Sequence, residues 1–190
     1  MSSSVNLGRI NEVHIDMVKT IYVAGSFIGK TPWLTHLNAS RGEEQAAKIW
    51  ALGAEHVFVI SPHQNSRQMV GVSSERTFVL GYLKAVDLSD ALYVMGGWKQ
   101  SKGTKGEIVR ATEKGKPIFF HLEDVVSWAR GERKLLKGQC PYCHATYDSL
   151  HGMWAIPQSL CDNCLVTAWR DARYQTDWLG NYLKTKELIP

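Results

Sequence analysis

The chain lacks the features that would tie it to a membrane or to secretion. No apolar run approaches the roughly 18 residues that a crossing helix needs. The opening stretch MSSSVNLGRINEVHIDMVK has no continuous signal-peptide core. Strong charge of either sign is missing too. A net charge of +4 and a pI near 8.9 are too weak to indicate nucleic acid, though they suit an anionic ligand such as a nucleotide. Internal repeats and low-complexity tracts are absent, which excludes a repeat array. Cysteine is absent before position 140, so no disulfide framework spans the chain. The expectation is a cytoplasmic protein with no membrane partner.

Apolar residues make up 44% of the 190 and charged residues 21%, the balance of a globular chain holding one ordinary domain, alone or with a small module. VKTIYVA, residues 18 to 24, is a short apolar run that stops at GSFIGK, a strand feeding a Gly/Ser loop. NASRGEEQAAKIWAL, 38 to 52, reads as a helix with Asn38 as its N-cap. The unit then recurs. EHVFVISPH is strand-like, SSERTFVLGYLKAVDLS helix-like, DALYVMGGW a strand ending in glycines, and a helix over about 105 to 114 leads to PIFFH and LEDVVSWARGE. Alternating short strands and amphipathic helices predict an α/β fold, a Rossmann-like or flavodoxin-like three-layer sandwich with a parallel sheet over about 18 to 130. Residues 131 to 139 read as a linker, and 140 to 190 as a small zinc-binding module with a C-terminal helix carrying Trp178 and Tyr182.

In such sheets ligands bind beyond the carboxyl ends of the strands. The loops there are GSFIGK, SPHQNSRQ and GGWKQSKGTKGE. The last is rich in glycine, serine and threonine and opens a helix, a composition that makes an anion cradle. Glu107 falls in or near the first turn of that helix, where the macrodipole favours the ionised carboxylate. An ionised carboxylate facing a sugar acts as a nucleophile or stabilises an oxocarbenium ion; the bland alternative is plain dipole compensation. His63, in a loop, is a candidate acid or base-contacting group. Trp98 can stack on a nucleobase or simply pack. Asp90 is a turn cap or a strand opener.

TIYVAGSFIGK, followed about eighty residues on by DALYVMGGWKQSKGTKGEIVRATEKGKPIFF, resembles the nucleoside deoxyribosyltransferase superfamily, including its deoxynucleoside-monophosphate N-glycosidase branch. The shared pattern is a first strand with a tyrosine, a G-S loop, an Asp opening the third strand, and S-x-G-x-x-x-E. The resemblance implies that Glu107 attacks the anomeric carbon and forms a glycosyl-enzyme intermediate, which water or a second base resolves without a cofactor. It also implies that Ser101, Gly103, Gly25, Ser26 and Gly29 face a phosphate and that Tyr22 lies near the glutamate. Two positions depart from the pattern. Tyr82 and Gly81 stand where the glycosidase and transferase branches carry an aspartate, leaving Asp87 or His63 as substitutes. Ile28 stands where the monophosphate branch has an arginine, leaving Lys30 or Arg67 to supply charge.

Cys140-Pro-Tyr-Cys143 and Cys161-Asp-Asn-Cys164, seventeen residues apart, fit the spacing of a zinc ribbon. Four thiolates close a tetrahedral shell with no open position, so the expected zinc is structural; His144 and His151 offer alternative ligands. Such a module braces a fold, contacts a partner or binds nucleic acid.

Three functions stay open. The first is cleavage or transfer of the N-glycosidic bond of a nucleoside or its monophosphate. The second, from the GG...GTxxE likeness to the cytokinin-activating phosphoribohydrolases, is hydrolysis of ribonucleoside monophosphates. The third is non-catalytic nucleotide sensing, with the cysteine module on nucleic acid or a partner. A homodimer or larger assembly is expected, since related enzymes complete their pockets from a neighbouring subunit.

Overall fold

The computed structural model describes residues 17–134, 139–144, 160–170, 172, 177–185 and 187, with backbone alone at 162, 177–179 and 182. The opening stretch up to residue 16, His151 and the side chains of Trp178 and Tyr182 lie outside the described residues.

Four strands, β1 (Lys19–Ala24), β2 (Val57–Ile60), β3 (Ala91–Val94) and β4 (Ile118–Phe119), form one sheet in the order β2-β1-β3-β4. All its pairings are parallel, with Tyr22 opposite Ile60 on one side and Leu92 on the other. Between and after them run α1 (Pro32–Gly53), α2 (Pro62–Asn65), α3 (Glu75–Leu88), α4 (Lys102–Glu113) and α5 (Leu122–Ala129).

Side chains of a strand alternate between the two faces of its sheet, and here that alternation sorts the core. Ile21 and Val23 join Ile49 of α1 and Val125 of α5 in one buried cluster. Tyr22 and Ala24 join Val86 of α3 with Ile108 and Val109 of α4 in the other. The result is a three-layer α/β sandwich. With β1 central, every residue from Ile21 to Ala24 is fully buried, which is why this strand reads as a continuous apolar run.

Two helix starts differ from the sequence reading. Helix α1 begins at Pro32, not at Asn38: Thr31 is extended, and its hydroxyl accepts the Leu34 N–H at 3.2 Å with proline in the first turn. Asn38, inside the helix, donates to the Phe27 carbonyl at 3.4 Å and ties down the loop after β1. Helix α4 begins at Lys102 because the Ser101 hydroxyl accepts the Thr104 N–H.

The cysteine-bearing segment adds α6 (Asp162–Arg170) and α7 (Asp177–Thr185), and α6 packs against α4. Cys140, Leu160, Cys164, Leu165, Ala168 and Leu183 belong to the same buried cluster as Tyr22 and Ile108. The composition changes near 131–139, yet the core runs across that change. Among the described residues no helix is long and apolar enough to cross a membrane.

Candidate functional site

Strand order reverses between β1 and β3, the place where a parallel sheet leaves a crevice at its carboxyl edge. A cavity of about 700 Å³ lies there, and Gly25, Ser26, Ser66, Tyr82, Ser101 and Glu107 are among its lining residues. All three loops read as candidate walls contribute. The segment entering α4 is shaped by Gly97, whose φ of 81° is left-handed, a conformation that glycine adopts without strain.

Tyr22 and Glu107 are brought together from 85 residues apart, the Tyr22 hydroxyl donating to Glu107 Oε1 at 2.6 Å. Tyr22 reaches it because even-numbered β1 residues face α3 and α4. Burial, and then the nearby Glu107 charge, hold its phenol well above 10.0, so it remains a donor. Oε2 of Glu107 is buried with no partner among the described residues. Burial raises the Glu107 carboxyl from 4.5 to about 7, and the Tyr22 hydrogen bond opposes the rise. The sequence reading expected an ionised carboxylate in the first turn. With α4 starting at Lys102, Glu107 sits in the second turn, where the helix dipole is weak and desolvation dominates.

Sequence reasoning named Tyr82 only for the aspartate it replaces. Here it is a cavity wall residue whose hydroxyl hydrogen-bonds the buried Ser66 hydroxyl. Its ring meets that of Tyr22 edge-on at 6.5 Å. The means to find it was in the sequence: Glu75, Phe78, Val79 and Tyr82, all cavity-lining, follow the i, i+3, i+4, i+7 spacing of one helix face. Ser101 and Gly103 also line the cavity, with the Ser101 oxygen occupied in capping α4. Lys102 adds a basic side chain to the lining, where Lys30 or Arg67 had been expected.

The other candidates are not in the cavity wall. Asp87 binds Arg110 through both carboxylate oxygens at 2.6 Å, joining α3 to α4, and this pair lowers its carboxyl. Arg67 is held by Glu43 at 2.5 Å. Lys30 is exposed, outside the lining. Asp90 accepts the Thr20 N–H at 2.7 Å, at the opposite edge of the sheet. Gly29 donates its N–H to Thr35 Oγ1 at 2.9 Å. Trp98 is buried against Phe120 and Tyr142.

His63 is fully buried. Its Nε2 lies 3.1 Å from the Ser26 carbonyl, which can only accept, so Nε2 carries the proton and Nδ1 faces the Ser61 hydroxyl at 3.4 Å. Burial lowers its pKa and keeps the ring neutral, a strut for the loop after β1. A Cβ on Gly42 would lie 2.0 Å from this ring. Gly42→Ala is therefore expected to destabilise the fold by about 1–3 kcal/mol despite its helical position, read as a fall in thermal midpoint of several degrees.

The four cysteine sulfurs lie within 4.8 Å of one another, so this cluster can bind a metal ion. Hydrogen bonds from Cys161 and Cys164 hold the Cys140 thiol far below its ordinary value. The contact with Cys140 pushes Cys161 up to about 11 and Cys164 higher still. The crowding of the thiols opposes full ionisation, and a cation among the sulfurs would favour it.

The family model described as "Domain of unknown function (DUF4406)" matches residues 19–120, the stretch that holds the whole sheet and the Tyr22–Glu107 pair. No curated protein and no solved structure matches the chain.

Proposed function

The chain belongs to the DUF4406 family, and we propose that this member cleaves or transfers the N-glycosidic bond of a nucleoside or nucleoside monophosphate, with Glu107 as nucleophile. The observation that carries the reading is the Glu107 carboxylate, anchored by Tyr22 at 2.6 Å beside a cavity of about 700 Å³. The motif resemblance to the nucleoside deoxyribosyltransferase superfamily supports it.

In the proposed reaction the ionised carboxylate attacks the anomeric carbon as the carbon–nitrogen bond breaks, and the bonding pair leaves on the base nitrogen. Tyr22 fixes the carboxylate through Oε1. The Tyr82 hydroxyl is the candidate donor for the departing base, with its Ser66 partner orienting it. The Gly-rich entry to α4 and Lys102 favour a phosphate at the other end of the substrate. Water or a second base then opens the glycosyl ester and restores Glu107.

For the cysteine cluster we propose a structural zinc. Bonds of about 2.3 Å to zinc imply sulfur–sulfur edges of about 3.8 Å, and Cys143 and Cys161 lie 3.6 Å apart. The paired-CxxC pattern leaves no ligand position for substrate.

The test is incubation of metal-loaded protein with deoxyribo- and ribonucleosides and their monophosphates, with and without a second free base, following base release chromatographically. Glu107-dependent release or exchange supports the reading, and its substrate pattern separates the deoxyribosyl from the phosphoribohydrolase chemistry. Nucleotide binding without turnover favours the sensor reading, to which the tyrosine in the aspartate position lends its weight. Tyr22→Phe provides a second check. Losing the hydrogen bond that opposes burial should move the Glu107 titration upward, so the alkaline rise in base release should shift to higher pH, with a loss of about tenfold or more at pH 7.

A further inference from the structure

A second cavity, of about 320 Å³, borders the turn at Trp98–Gln100. Its walls come from three places: Gly96, Gly97 and Lys99 after β3, Phe120 and His121 after β4, and Tyr142 from between two of the clustered cysteines. Trp98, Phe120 and Tyr142 touch one another, with ring centroids 4.9 to 5.9 Å apart. The exposed Lys99 reaches over this group, its Nζ 4.8 Å from the Tyr142 ring centre and 5.8 Å from that of Trp98. Among the described residues no lining residue is acidic, and a Cβ on Gly96 would meet none of their atoms within 4 Å.

We infer that this cavity binds a small planar aromatic acid, its ring against the Trp98–Phe120–Tyr142 wall and its negative group paired with Lys99. Aromatic walls accept a flat π-system of any base-like kind. A cation–π contact at an exposed lysine is weak, and a ligand anion offers Lys99 a stronger charge-assisted hydrogen bond. The volume admits one ring system with a short substituent and is less than half that of the cavity beside Glu107. The inference also gives the cysteine-bearing turn a task beyond bracing, because Cys140 and Cys143 fix the backbone on both sides of Tyr142. It stands independently of any chemistry at Glu107.

The test is calorimetric titration of the metal-loaded protein with nicotinate and orotate, and with their neutral counterparts nicotinamide and uracil. The acids should bind at least about tenfold more tightly than the neutral rings. Lys99→Gln should weaken the acids by about tenfold. Glu107→Gln should leave binding unchanged. Failure of both acids to bind, equal binding of acids and neutral rings, undiminished binding by Lys99→Gln, or loss of binding in Glu107→Gln would each overturn the inference, the last because the ring would then occupy the first cavity.

Discussion

Removing the metal proposed for the four-cysteine cluster is expected to lower the thermal midpoint by about 6–20 °C and to loosen the helix that carries Glu107. Cys140 is fully buried and Cys164 nearly so, in one cluster with Trp98, Ile108 and Leu165, and α6 lies directly on α4. A structural metal contributes folding free energy outright, because its ligands gather only in the folded state. A net loss of about 3–5 kcal/mol, at about 2–4 °C for each kcal/mol in a chain of this size, gives the stated shift. Without a cation the crowded thiols resist full ionisation, as the raised Cys161 and Cys164 indicate. Cys164→Ser should mimic chelation. Melting curves with and without a strong zinc chelator, alongside metal quantification, decide the matter. An unchanged midpoint in a protein that carries no metal would mean that the cysteines merely pack.

What could be read beforehand follows from which forces are local. The alternation of short apolar runs with amphipathic helices named all three sheet-edge loops, because strand burial and helix periodicity are written along the chain. The paired CxxC spacing named the four cysteines that the fold brings together. Helix starts were harder. Asn38 is a good cap by residue type, but Thr31 followed by proline wins and adds two turns to α1. The same shift at Ser101 moves Glu107 from the dipole of the first turn into the buried second turn, where burial raises its carboxyl to about 7. The resemblance suggested that Tyr22 lies near Glu107; the 85-residue contact itself depends on how the third layer packs on the sheet. Asp87 illustrates the converse: its carboxylate suits catalysis by type, and only tertiary placement reveals Arg110 as its partner. The cysteine segment reads as separate because composition changes near 131–139, whereas its burial against α4 is a long-range fact.

Glu107→Gln should reduce base release by about 10⁴-fold or more, the scale on which loss of a covalent nucleophile acts, and should at the same time stabilise the protein at alkaline pH. Both effects come from one buried carboxyl. Its value in the fold, about 7, lies above the ordinary 4.5, so the fold favours the protonated form. The stability this group contributes is full below about pH 4.5, declines as pH rises above that value, and is lost once pH has passed through about 7. The difference corresponds to at most about 3 kcal/mol, reduced where cavity water reaches the partly exposed side chain. Glutamine does not titrate, so the variant should melt several degrees above the unaltered protein at pH 8.5 and lose most of that advantage at pH 5. Base release by the unaltered protein runs the other way, rising with pH through about 7 as the attacking oxygen ionises. The two curves therefore cross in sign at a single residue. A stabilised variant beside an unaltered protein that releases no base would retain the buried carboxyl and refute the glycosidic chemistry. Base release that survives the substitution would move the nucleophile elsewhere in the cavity.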